Sequence, residues 1–137
     1  SAGFPGVGGV LPLTLTEGLR RGIPLDRLVH VTSTRSAQLF GMYPKKGTIQ
    51  VGSDADLAVV DLSGETVIEA ATQHSAAEYT PWEGTRVPMR VVHTLVRGHF
   101  AMRDGVLSST TTGEYLERPH SGATALAGMN TLPKEAE

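Results

Sequence analysis

Asp54 and Asp56 stand two residues apart in the stretch 47-GTIQVGSDADLAVVD-61. Carboxylates at that spacing on a strand point to one face, where they could share a hard cation. Hard cations take more oxygen ligands than two, and the only further acid nearby is Asp61, at the far end of the same stretch. A simpler reading makes Gly52-Ser53-Asp54 a turn and lets Asp56 open a strand. The residue types favour that simpler reading.

Other chemistries find less support. The histidines are His30, His74, His93, His99 and His120, and they form neither a His-x-His pair nor a helical HExxH motif. His93 lies in an apolar run and reads as a core or interface residue, while His74 sits among polar neighbours. No G-x-S-x-G occurs, and Ser33 and Ser36 fall where helix caps are expected. The opening 2-AGFPGVGG-9 lacks the G-K-[ST] of a phosphate loop, and Gly6-x-Gly8 is not followed by a third glycine at the dinucleotide spacing. Its bare backbone could still let a small ligand come close. The plainer alternative is a connecting loop. Arg86, Arg90, Arg97 and Arg103 have only Trp82 as a neighbouring aromatic, too sparse for a nucleic-acid platform.

The elements that would position these residues change character along the chain. Leu11, Leu15 and Leu19 recur every four residues as one stripe of a helix, with Pro12 in its first turn and Gly22 as its stop. A second short helix is expected from Pro24, with Leu25, Leu28 and Val29 on its apolar side. Thr32, Ser33 and Thr34 offer caps for a third, ending at Gly41. Beyond Pro44 the pattern is β. Leu57-Ala58-Val59-Val60 is apolar on both faces and suits a covered strand. Thr66-Val67-Ile68 and residues 91–97 are further strands, Gly98 interrupts, and Asp104-Gly105 is a hairpin dipeptide. Residues 108–137 are rich in Ser, Thr, Gly and Pro and read as a poorly ordered tail. Neither the helical nor the β part reads as self-sufficient, and the opening, with no initiator Met, reads as the middle of a longer sequence.

The totals bound the class. The 137 residues fit one domain, and 39% hydrophobic with 19% charged residues describe a globular chain. A net charge of −2 gives no reason to expect nucleic acid or an anionic membrane. With no cysteine, disulfides and thiolate metal sites are excluded, which fits a cytoplasmic protein.

The run 31-VTSTRSAQLFGMYPKKGTIQVGSDADLAVVD-61 resembles the C-terminal part of cyclic-amide hydrolases of the amidohydrolase superfamily, nearest to D-hydantoinase and dihydropyrimidinase, with allantoinase close behind. The blocks 3-GFPGVGG-9, 79-YTPWEG-84, 95-LVRGHFAMRDG-105 and 113-GEYLERP-119 agree. The resemblance implies a mixed α/β fold: the last helical part of a (β/α)8 TIM barrel (residues 1–42), part of a composite β-sandwich (43–107) and a C-terminal tail (108–137). Such a barrel alone takes about 250 residues, so the chain is expected to be incomplete.

In that family Asp54 and Asp56 would not be metal ligands. The family's two metal ions, usually zinc, are held by residues with no matching position here, so the chain alone is expected to bind none and to be inactive. What remains is the loop after the last barrel strand, which implies substrate contacts at Ala2, Gly3, Phe4, Pro5 and Gly6. Ala2 stands where hydantoinases often carry Asn, which leaves allantoinase-like or dihydroorotase-like rings open. The implied partners are a small cyclic amide, the remainder of a parent chain, and further copies in a dimer or tetramer. A runner-up reading is a metal-free dihydropyrimidinase-related assembly module. A third is an independent small β-domain that shares the sandwich.

Overall fold

In the computed structural model, residues 5–109 and 113–117 are described. A short 3-10 turn, Val7–Gly9, leads into helix α1 (Val10–Arg20). Pro12 is tolerated there because the first-turn N–H groups have no helical partner to lose. Leu15 is buried on the inner face. The helix stops at Gly22, whose φ of 76° suits a residue without Cβ. The N–H groups of Gly22 and Ile23 donate to Leu19 and Gly18 carbonyls, closing the end.

The expected boundary between a second and a third helix is absent. Helix α2 (Leu25–Val29) runs through a π turn (His30–Thr34) into α3 (Arg35–Leu39). The hydroxyls that looked like caps bond elsewhere. Thr32 Oγ1 donates back to the Leu28 carbonyl at 2.8 Å, and Ser36 Oγ to that of Val31 at 3.2 Å. Such backward bonds let Ser and Thr sit inside a helix instead of starting one. Thr34 Oγ1 reaches out to the Gly47 carbonyl at 2.7 Å. Gly47, with φ 82°, lies so close to α3 that a Cβ there would come 2.5 Å from the Ala37 methyl.

The strands are β1 (Leu57–Asp61), β2 (Thr66–Val67), β3 (Arg86–Val87), β4 (Arg90–Val96), β5 (His99–Arg103) and β6 (Val106–Leu107). One antiparallel sheet has the order β1-β4-β5-β6, and β2 pairs with β3 apart from it. Both hairpins of the larger sheet turn on two residues with positive φ, Arg97-Gly98 and Asp104-Gly105, as the tight turn matched to strand twist demands. β1, which reads as a strand covered on both faces, leaves Ala58 and Val59 exposed.

Helices and strands share one core. Ile68, Val87 and Met89 are each no more than 2% exposed and cluster with Leu15 and Leu28, with Leu11, Val60, Trp82 and Val91 packed around them. Burying each such side chain contributes about 1.5–3 kcal/mol. Thr66 Oγ1 donates to the Met89 carbonyl at 2.8 Å, fastening the short β2 strand to the segment that carries two of these residues. Among the described residues no helix is long and apolar enough to cross a membrane.

Two substitutions test this core. Ile68→Ala is expected to cost about 2–5 kcal/mol in a denaturant titration, the range for a large-to-small change in a packed site. Gly18→Ala is expected to cost about 1–3 kcal/mol by overpacking. Its new methyl would lie 2.3 Å from Leu28 Cδ2, and Leu28 is itself buried in the core cluster.

Candidate functional site

Asp54 and Asp56 come together, but with cations of the chain itself. Lys45 Nζ lies 2.8 Å from Asp54 Oδ1, and Lys46 Nζ lies 2.8 Å from Asp54 Oδ2 while also pairing with Asp56. Asp56 Oδ1 accepts the Arg97 backbone N–H at 2.7 Å. Turn bonds bring these groups together: Asp54 N–H donates to the Lys45 carbonyl at 2.9 Å, and Ser53 Oγ to that of Pro44 at 2.7 Å. The result is a clasp between the end of the helical segment, the start of β1 and the β4–β5 turn.

The charges of the clasp stabilise one another. Hydrogen bonds from Lys45 and then Lys46 hold the Asp54 carboxyl below the usual carboxylate range. Burial opposes the charge on Asp56, yet the Lys46 and Arg97 hydrogen bonds outweigh it and lower its pKa too. Lys46 is likewise disfavoured by burial, and its bonds to Asp54 and Asp56 raise its pKa above the ordinary lysine value. Among the described residues no group of three or more His, Cys, Asp or Glu side chains is placed to hold a metal ion. The described carboxylates at 54 and 56 already face ammonium and amide donors, so they do not fit zinc.

The histidines are scattered. His93 Nδ1 accepts the Asp104 N–H at 3.2 Å, and its ring meets Phe100 edge-on at 5.5 Å between centroids. That is a packed role inside the hairpin. His74 takes a positive φ of 50° in an exposed turn, and His120 lies outside the described residues.

The glycine-rich opening is the other candidate. Ala2, Gly3 and Phe4 lie outside the described residues; Pro5 and Gly6 are half-buried. Gly9 N–H donates to the Gly6 carbonyl at 3.0 Å, curling the loop into α1. Beside it runs a mostly apolar cleft of about 450 Å³, walled by Gly6, Val7, Gly9, Val10, Leu13 and Trp82. The lysine partners of the aspartates and the contact of Trp82 with this loop escape a reading of the residues. The first had a signal in Lys45-Lys46, set before a turn-rich stretch that ends in two acids. The second had none, because the partners are remote along the chain.

The model of the amidohydrolase family matches residues 10–101, and the chain belongs to that family. Within it, the chain is similar to hydantoinases and dihydropyrimidinases. It is 44% identical over 113 residues to the D-hydantoinase of Geobacillus stearothermophilus, covering 81% of this chain and 24% of that one. It is 43% identical over 110 residues to the L-hydantoinase of Paenarthrobacter aurescens, covering 79% and 24%. Among solved structures, the dihydropyrimidinase of Brevibacillus agri superposes with a TM-score of 0.68 at 42% identity, over 71% of this chain and 21% of that one. The chain thus spans about a quarter of the length of the curated relatives it matches.

The clasp predicts a pH response. Asp54 and Asp56 have lowered folded pKa values, so their stabilisation is present above the unfolded value of about 4 and is lost as pH falls through the folded values. The raised pKa of Lys46 places its loss above about pH 10.4. Lys46→Met should therefore lower Tm on the order of 5 °C at pH 7. The gap to the unsubstituted protein should narrow as the acids protonate in scans below pH 4.

Proposed function

We propose that this chain is the C-terminal part of a hydrolase of cyclic amides of the hydantoin, dihydropyrimidine or allantoin type. The observation that carries the reading is the similarity to hydantoinases, at 36–44% identity over about four-fifths of the chain, helices and strands alike. In the reaction, water adds to a ring carbonyl carbon, the ring C–N bond breaks, and the departing nitrogen takes the proton.

On this reading residues 1–42 close a barrel, 43–107 supply part of a small β-sandwich, and 108–137 form a tail. The loop at Ala2, Gly3, Phe4, Pro5 and Gly6 faces the ring, partly through backbone groups. A loop that follows a barrel strand is where such folds carry their sites. The family's zinc ions belong to the proposal as well, with ligands supplied by residues outside this chain. Exposed apolar side chains on several elements support an incomplete body. Phe40 is 57% exposed after α3, Val59 44% on β1 and Ile49 87% in the connector. These are surfaces that further barrel and sandwich elements would cover.

The test is ring opening of hydantoin, dihydrouracil and allantoin by the full-length natural protein and by the 137-residue chain. Turnover of at least one ring by the full-length protein, together with none by the chain alone, is the expected result. A full-length protein that binds no metal and opens none of these rings would overturn the reading and leave an assembly role.

A further inference from the structure

Two glycines of the opening loop are small for a reason other than backbone freedom. Neither Gly8 nor Gly9 adopts a positive φ, so any L residue could take their conformations. What lies over them is side chain: the end of Gln73 over Gly8, and Leu13 together with the Trp82 ring over Gly9. A Cβ on Gly8 would lie 2.3 Å from Gln73 Oε1. A Cβ on Gly9 would lie 3.0 Å from Leu13 Cδ1 and 3.4 Å from two carbons of the Trp82 ring. Gly9 is buried although Val7, Gly8 and Val10 around it are exposed.

The turns that carry Gln73 and Trp82 are hydrogen-bonded to one another and to the core. Gln73 ends a 3-10 turn (Ala70–Thr72) whose first N–H, on Ala70, donates to Glu83 Oε2 at 2.8 Å. That bond ties the turn to the neighbouring one, in which the Thr85 N–H donates to the Trp82 carbonyl at 2.9 Å. Gly84 N–H then donates to the carbonyl of Ile68, one of the most deeply buried residues described. A continuous path therefore runs from the core at Ile68, through two linked turns, to the side chains that press on Gly8 and Gly9.

We propose that Trp82, with Gln73 beside it, is a positioning residue that fixes the glycine loop, and so sets how the backbone at Pro5 and Gly6 meets the ring substrate. The proposal rests on the reading that this loop contacts a cyclic amide. A loop contributing backbone groups has no side-chain rotamers of its own to lock, so its geometry must come from what packs against it. The indole supplies a large rigid face at little conformational cost, and glycine lets it approach the main chain directly.

The experiment compares full-length wild-type protein with Trp82→Ala, Trp82→Phe and Gly9→Ala. It measures kcat and KM for hydantoin, dihydrouracil and allantoin, and amide hydrogen exchange over residues 5–14. A small misplacement near reacting groups can cost about 100-fold. Trp82→Ala is expected to lose about 10–100-fold in kcat/KM and to exchange faster at Gly9. Trp82→Phe, which keeps a flat ring, should recover most of both. Gly9→Ala, whose methyl would crowd Leu13 Cδ1 at 3.0 Å on the side where the indole already lies in contact, should lower kcat/KM while the protein still unfolds cooperatively, and it decides the matter if Trp82→Ala does not fold. Wild-type kinetics and unchanged exchange in Trp82→Ala, or in Gly9→Ala where it is the deciding variant, overturn the proposal. If the wild-type protein opens no ring, the functional reading fails instead, and the exchange comparison alone decides whether Trp82 fixes the loop.

Discussion

Ile68, Val87 and Met89 bury themselves against Leu15 and Leu28, and the arrangement of the chain follows from that contact. It is where the helical segment and the β segment meet. α1 and α2 can approach closely only because Gly18 carries no side chain opposite Leu28. The two-residue ladder of β2 and β3 is too short to persist alone, and it survives because Ile68 and Val87 extend it into the core. The turns that reach the opening loop hang from the same residue, through the carbonyl of Ile68. The geometry of the candidate site is thus a remote product of apolar packing.

A second constraint works beside the core. The chain leaves α3 through Gly41 and must turn several times before β1 can pair with β4. Lys45 and Lys46 face Asp54 and Asp56 across that connector, and Asp56 also takes up the N–H at the start of the Arg97-Gly98 turn. One acidic pair therefore aligns a connector and the tip of a hairpin at once. Its two carboxylates stay charged because cations and an amide N–H surround them. The same crowding explains why they suit no metal.

What could be read from the residues was what is local. Asp104-Gly105 makes its hairpin and Gly22 stops its helix because each turn is specified by the residues within it. The long strand β4 was legible for the same reason, as was the run of blocks that resembles hydantoinases, while of the expected α1 stripe Leu11 and Leu15 face the core and Leu19 is exposed. The junction of α2 and α3 was not. Thr32 and Thr34 are as competent to cap as to bond within or beyond a helix, and the Gly47 carbonyl, which accepts from Thr34, arrives from a later segment. The glycine loop stood out by composition. What packs over Gly8 and Gly9 includes Gln73 and Trp82, which nothing near the loop announces. Two of the loop's five candidate contacts, Pro5 and Gly6, fall among the described residues, and beside the local wall of Val7, Gly9, Val10 and Leu13 stands the remote Trp82.

The outer strand β6 has a consequence for handling the chain. Val106 is 71% and Leu107 53% exposed, and β6 ends the four-stranded order. A strand of only two residues offers few backbone groups for another strand to add to, so what β6 presents is chiefly its two apolar side chains. Prepared by itself at high concentration, the polypeptide should associate through those side chains rather than by strand addition, and Val106→Lys would act as a gatekeeper against it.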